Sequence, residues 1–212
     1  SDYDVRFLYV RRREDYLKLQ PPRDVIEWQL DEVLDINGWD IRKALVLLYK
    51  SNPTLFEWCN SPIVYRTSRK FDDFRALALR YFSPKAALYH YWSTAYGVKK
   101  NFLQGETVRM KKYLYALRPL LACRWILDKN LPPPILFDTL VKEELPEPLI
   151  REVDALLQKK KEGMETSMIA RVPALQEYIE NSLEEIRLAA GDSVSDSPVW
   201  DELDAYFLGL FE

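Results

Sequence analysis

Two aspartates, Asp2 and Asp4, open the chain in "SDYDVRFLYV". The residues that follow, Val5 to Val10, are mostly apolar and include Tyr and Val, which favour extended structure, so this stretch reads as a strand. Alternate side chains of a strand point the same way, with α-carbons about 6.5 to 7 Å apart, so the two carboxylates share a face. Such a pair can clasp one Mg²⁺, or bridge two metals about 3.5 to 4 Å apart, the arrangement of in-line phosphoryl and nucleotidyl transfer. The competing reading is an acidic start to a strand, because Asp is common at turns and strand ends. A bare D-x-D does not decide between them.

Composition removes other chemistries. The chain has 212 residues and 48% apolar content, enough for a real core. A single histidine, His90, and two distant cysteines, Cys59 and Cys123, leave too few soft ligands for a zinc site. Both thiols are expected reduced and buried. His90 stands in "LYHYWSTAY" among Tyr89, Tyr91 and Trp92 and reads as a hydrogen-bonded structural histidine. No apolar run approaches the roughly 20 residues that span a bilayer, and no basic-then-apolar leader opens the chain, so the expectation is a cytoplasmic protein with no membrane partner. The first residue is not methionine and the chain begins inside an element, so an upstream segment is expected to be missing.

The net charge of -3 hides an asymmetry. Residues 1 to 130 carry 23 Lys+Arg against 15 Asp+Glu, and residues 131 to 212 carry 7 against 18. A basic surface around an acidic centre suits a polyanionic substrate held near divalent metal, and the acidic C-terminal region is a candidate dock for a protein partner. Solvated helix faces are the plainer explanation.

The elements that must position the aspartates follow from local pattern. "DVIEWQL" is a second strand candidate, and "EVLDINGW" holds a third that ends at Asn37-Gly38. Asp40 reads as an N-cap of "IRKALVLLYK", whose apolar residues at 41, 44, 45, 48 and 49 make one buried helical face; Asn52-Pro53 ends that helix. Beyond it the chain is mainly helical, apart from a short edge strand expected in "PIVY" at 62 to 65. Ser83-Pro84 caps a helix that runs to about Leu103. A second long helix is expected from about Thr107 to Leu127, kinked or broken near Arg118 by Pro119. After "LPPP" come helices near 136–144, 148–161 and 173–190, the loop "GDSVSDS", and a final amphipathic segment with Trp200, Tyr206, Phe207 and Phe211. The expected organisation is 1–82 and 83–212.

"SDYDVRFLYV", "LDINGWDIRKALVLLYKSNPTLFEWCNSPIVY" and "VRMKKYLYALRPLLACRWIL" together resemble the RNA-repair-associated nucleotidyltransferases of the DNA polymerase beta superfamily, the RlaP or YcgL-like group. The resemblance spans most of residues 1 to 190. It implies an α+β fold, with a small mixed-sheet polymerase-beta-like nucleotidyltransferase domain, incomplete at its start, followed by a mainly helical C-terminal domain. It also implies transfer of a nucleoside monophosphate from an NTP, with Mg²⁺ or Mn²⁺ on Asp2, Asp4 and a third carboxylate from a neighbouring strand. Asp35, in the third strand candidate, is chosen for that place; Glu27, Asp31 and Asp40 are its rivals, Asp40 being better explained as a cap. The family carries a Gly-Ser loop and helix ahead of the D-x-D that would hold the triphosphate, and the chain as it stands is expected to be inactive without it.

From Lys99 to Arg124 there are seven cations and one acid, Glu106. Lys99, Lys111, Lys112 and Arg118 are candidates for triphosphate or RNA backbone, with Tyr113 or Tyr115 available to stack a base. Solvated lysines and core tyrosines are the alternative. The leading expectation is nucleotidyl transfer to an RNA end in RNA repair; the others are transfer to a protein or small molecule, and a silent nucleotide-binding or interaction module.

Overall fold

The computed structural model describes residues 3–29, 33–164, 166–191 and 198–212 of the chain. Two compact units are present, Ser1–Phe82 together with Ser197–Glu212, and Ser83–Asp196. The fold is α+β, with the larger sheet at the N-terminus.

In the first unit β1 (Tyr3–Tyr9), β2 (Val25–Gln29) and β3 (Leu34–Asp40) form a mixed sheet in the order β1-β3-β2. β1 runs parallel to β3, with Asp4 opposite Asp35 and Leu8 opposite Trp39; β2 runs antiparallel to β3, with Glu27 opposite Asn37. Around the sheet are α1 (Arg13–Tyr16), α2 (Ile41–Tyr49), α3 (Pro53–Cys59), α4 (Arg69–Arg80) and α10 (Asp201–Gly209). Their core gathers Ile41, Leu45 and Leu48 of α2, Leu55 and Phe56 of α3, Phe74 and Leu77 of α4, and Leu203 of α10. Leu8 and Trp39 pack against it. Period-two alternation therefore gives one sheet face two ends: Leu8 and Trp39 at the core, and Asp4, Arg6, Asp35 and Asn37 farther back along β1 and β3.

Two expectations from the sequence fail in this unit. The third strand does not end at Asn37-Gly38 but continues through Asp40. Gly38 is opposite Phe7, and a Cβ at Gly38 would lie 2.3 Å from the Phe7 ring, so the glycine makes room for an aromatic side chain laid across its neighbour strand rather than making a turn. Gly38→Ala is expected to lower stability by about 1 to 3 kcal/mol through overpacking, read as a lower urea midpoint at unchanged slope. Residues 62–65 form no strand. Their apolar side chains Ile63, Val64 and Tyr65 are exposed, and they connect α3 to α4 without a partner strand.

Burial also shapes ionisation here. It pushes the Cys59 thiol up to about 12, and the hydroxyls of Tyr16 and Tyr206 likewise up to about 12. These groups are neutral in the folded unit. Their contribution is fully present below their ordinary values of 9.0 and 10.0 and is lost as pH rises through about 12, where the unfolded chain has already released the protons. Melting temperature is therefore expected to fall steadily between about pH 9 and 12. The ultraviolet absorbance of ionised tyrosine should rise together with unfolding, and a flat melting profile over that range would contradict the assignment.

The second unit contains α5 (Pro84–Phe102), β4 (Thr107–Arg109), α6 (Lys111–Lys129), α7 (Phe137–Glu144), α8 (Glu147–Lys161), β5 (Met168–Ala170) and α9 (Pro173–Gly191). Ser83 caps α5 as expected, its Oγ accepting from the Ala86 amide at 3.3 Å. The long helix expected from Thr107 begins at Lys111 instead, because Thr107–Arg109 pairs antiparallel with Met168–Ala170. α6 then runs through Pro119 without a break, held by packing on α5, α7 and α9, and ends on Asn130 in the left-handed conformation at φ 56°. Cys123 is fully buried there, and burial pushes its thiol up. His90 is exposed on α5 with its ring edge-on to Tyr91 at 5.3 Å, rather than enclosed by its aromatic neighbours, because Tyr91 and Leu88 take the buried face.

Candidate active site

The parallel register of β1 and β3 brings Asp4 and Asp35 side by side although they are far apart in sequence. Like charges directly opposite one another destabilise a sheet, and here Arg6 offsets that repulsion. Its Nη2 donates to Asp4 Oδ1 and to Asp35 Oδ2, both at 2.7 Å, and its Nη1 donates to the carbonyls of Val5 and Asp35, both at 3.1 Å. The carboxylates remain open to solvent, Asp4 at 67% and Asp35 at 50% side-chain exposure, with Arg6 at 26%. Pairs this exposed contribute only about 0 to 1 kcal/mol each, weak enough for a divalent cation to compete with the guanidinium.

The donor chemistry fits such a cation. Asp4 and Asp35 supply carboxylate oxygens, and beside Arg6 on the register the buried Oδ1 of Asn37 has no hydrogen-bond partner among the described residues. Oxygen donors of this kind suit Mg²⁺ or Mn²⁺ and not a soft metal. Among the described residues no group of three or more His, Cys, Asp or Glu gathers as a metal cluster. Asp2, the first member of the D-x-D, lies outside the described residues, as does Asp31.

The remaining rivals for the third carboxylate have other tasks. Asp40 is 3% exposed and caps α2, its Oδ1 accepting from the Arg42 amide at 2.9 Å and its Oδ2 from the Tyr16 hydroxyl at 3.0 Å. The Arg11 guanidinium lies 3.6 Å from it. Glu27 sits on β2 opposite Asn37 and is paired with Arg23.

The four cations singled out in the sequence all belong to the second unit. Lys99 is paired with Glu180 at 3.4 Å. Lys112 lies over the Phe102 ring at 3.7 Å from its centre and 5.3 Å from that of Tyr115. Lys111 and Arg118 make no ion pair with a described residue and share a helical face with the exposed Tyr115. Tyr113 is fully buried and its hydroxyl accepts from the Val172 amide at 2.9 Å, so it is a core residue and no stacking platform. Tyr115 and Phe102 are the exposed rings, half in solvent.

Sequence reasoning passed over Arg6, Asn37 and Phe102. The i, i+2 spacing of Asp4 and Arg6 on one strand face was the available signal for Arg6; the other two depend on pairing and packing that no local pattern carries.

Comparison with known proteins identifies the family to which the chain belongs. The family described as RlaP, the RNA repair pathway DNA polymerase beta family, matches residues 1–209. The chain is 43% identical over 192 residues to the uncharacterized protein YcgL of Bacillus subtilis (strain 168), covering 90% of this chain and 74% of that protein. Matched over nearly its whole length, the chain belongs to the RlaP family, the RNA repair pathway DNA polymerase beta family.

Proposed function

We propose that this protein is a divalent-metal-dependent nucleotidyltransferase that moves a nucleoside monophosphate from an NTP to an RNA end, in the reducing cytoplasm, where its two buried cysteines stay free thiols. The observation that supports this reading is the parallel register that sets Asp4 and Asp35 side by side on one face of the sheet, both open to solvent. Asp4, Asp35 and, by the family pattern, Asp2 would hold Mg²⁺ or Mn²⁺. When bound, the metal would lower the pKa of the attacking hydroxyl and neutralise charge on the departing pyrophosphate.

The protein's own groups position and stabilise. Arg6 keeps the two carboxylates from repelling each other and fixes their oxygens on one face. Leu8 and Trp39, two residues farther along each strand from Arg6 and Asn37, anchor that face in the core, so the carboxylates sit on rigid strands rather than on loops. Lys111, Lys112 and Arg118, with Tyr115 and Phe102 beside them, are assigned to the RNA backbone and its bases. Lys99, tied to Glu180, orders α9 against α5.

The deciding assay incubates the full-length polypeptide with each α-labelled NTP, Mg²⁺ or Mn²⁺ and total RNA, beside an Asp4→Asn/Asp35→Asn control. Label on RNA that vanishes in the control is expected. Label confined to protein would move the acceptor to a protein hydroxyl, and no label would favour a silent nucleotide-binding module. Lys111→Glu/Lys112→Glu should weaken transfer to RNA and flatten its salt dependence, because fewer phosphates are neutralised.

A further inference from the structure

We infer that the outer face of α5 is a base-stacking station for an unpaired nucleic-acid strand, with Tyr89 and Tyr96 as its rings and Lys100 as its phosphate contact. That the strand is the acceptor RNA rests on the proposed function; that it is unpaired rests on the rings.

Helical spacing puts Tyr89, Tyr96 and Lys100 on one stripe of α5, at i, i+7 and i+11. The buried side of the same helix is made by Leu88, Tyr91 and Ala95, so the stripe is not what holds α5 to its neighbours. Tyr89 is 50% and Tyr96 43% exposed, whereas Tyr91 is 7% exposed. Core packing accounts for Tyr91 and leaves the other two rings without a task.

Tyr96 is held in place. Its ring lies 8° from parallel to that of Trp92, with 5.1 Å between centres, and Trp92 is fixed in turn by Nε1 donating to the Leu183 carbonyl of α9 at 2.8 Å. A ring backed by an anchored indole loses little side-chain freedom when a base is laid on it. The Phe102 ring differs, because Lys112 already sits 3.7 Å from its centre. Among the described residues no cation covers Tyr89 or Tyr96.

Charge selects the occupant. α5 carries Lys85, Lys99 and Lys100 and has no Asp or Glu in its 19 residues. On the neighbouring α9, Glu180 is held by Lys99 at 3.4 Å and by Gln176 at 3.0 Å, and Glu184 by Arg187 at 2.6 Å. Lys100 is exposed and makes no ion pair or hydrogen bond with a described residue. A phosphate chain answers that ammonium, and the bases attached to it bring the flat π-faces that the two rings can stack.

Geometry selects an unpaired strand. In a duplex the base faces are closed by stacking on one another, so aromatic side chains reach them where the strand is opened. Tyr89 and Tyr96 stand about 10.5 Å apart along the helix axis, roughly three times the 3.4 Å rise of stacked bases. They therefore take bases of a spread strand, and Lys100, about 6 Å beyond Tyr96 along the axis, takes a phosphate. Every base has a π-face, so the station reads strandedness rather than sequence.

The test measures binding rather than turnover. Fluorescence anisotropy is read in EDTA on the full-length protein, with a short unstructured fluorescein-labelled RNA and the same strand annealed to its complement as probes. The single strand should bind about tenfold or more tighter than the duplex. Tyr89→Ala and Tyr96→Ala should each weaken the single strand about fivefold or more, the scale of one lost base stack, and Tyr96→Phe should keep the affinity. Lys100→Ala should lower the salt dependence, which the tyrosine variants leave unchanged. Lys160→Ala, on the exposed end of α8, should bind as the unaltered protein does, and circular dichroism should show each variant folded. Unaltered single-strand affinity in folded Tyr89→Ala/Tyr96→Ala, or equal affinity for the duplex, overturns the station; a loss of RNA binding in Lys111→Glu/Lys112→Glu would then leave the RNA-acceptor reading standing. Binding of neither probe overturns both and gives this face to a protein partner. Tyrosine variants that lose the RNA, with labelled monophosphate still going only to protein, keep the station and remove RNA as the acceptor.

Discussion

Asp35→Asn in the full-length protein is expected to lower nucleotidyl transfer by on the order of 10²- to 10³-fold or more while leaving the fold in place. The substitution removes one negative charge and little else. The amide oxygen that replaces Oδ2 can still accept from Arg6, and the backbone carbonyl of Asp35 still accepts from Arg6 Nη1. The ion pair being weakened is half-exposed, so its loss from stability is within about 1 kcal/mol, a few degrees in melting temperature at most. Asp4→Asn should behave alike, since its pairing with Arg6 is even more exposed. Because the two carboxylates would act on the same cation, the double variant should be little worse than either single one. The check is turnover with labelled NTP alongside Mn²⁺ affinity by electron paramagnetic resonance. Transfer that survives either substitution within a few fold would remove Asp4 and Asp35 from the chemistry.

Asp40→Ala is expected to act in the opposite manner, through stability. The carboxylate is buried, caps α2 through the Arg42 amide, and receives the Tyr16 hydroxyl. Loss of the cap costs about 0.5 to 2 kcal/mol, and leaving the partly buried Tyr16 hydroxyl without its acceptor costs about 1 to 3 more. A total of about 1.5 to 5 kcal/mol is a large share of the roughly 5 to 15 kcal/mol typical of a whole domain. Urea denaturation should show it. Asp40→Asn keeps an acceptor oxygen for the cap and should recover part of the loss. Activity measured well below the melting temperature should follow the folded fraction; a loss of turnover in fully folded Asp40→Asn would give Asp40 a part in the reaction.

The contrast between these two aspartates shows how far local pattern reaches. Asp40 was legible as a cap because everything that defines an N-cap is adjacent in sequence: a short acceptor side chain, then an apolar face at 41, 44, 45 and 48. Asp35 is marked in the sequence only as a residue of a candidate strand, with nothing to say which strand it neighbours. Its position opposite Asp4 comes from a parallel pairing reached through α1 and β2, and no residue near Asp35 encodes that register. The same limit explains Gly38, which by itself looks like a turn and is a strand residue because Phe7 needs the space across the ladder. It explains Thr107–Arg109 too, which continues a helical pattern in sequence but is taken into a strand by Met168–Ala170.

Tyr113 and Tyr115 are two residues apart with the same side chain, yet one is sealed in the core and the other half in solvent. Their spacing on a helix separates their faces, and only the packing of α6 on its neighbours decides which face is inside.

The amino-acid sequence by itself determined the strand that carries Asp4, the capped helix behind it, the two long helices and the family resemblance, because each is written in the spacing of neighbouring residues. Tertiary structure alone decided that Asp35 stands beside Asp4, that Arg6 holds the two together, and that α10 belongs to the unit of the N-terminal sheet. The physical reason is that helix and strand follow from short-range periodicity and capping, whereas register and burial are fixed by contacts between segments distant in the chain, whose energies no local window contains.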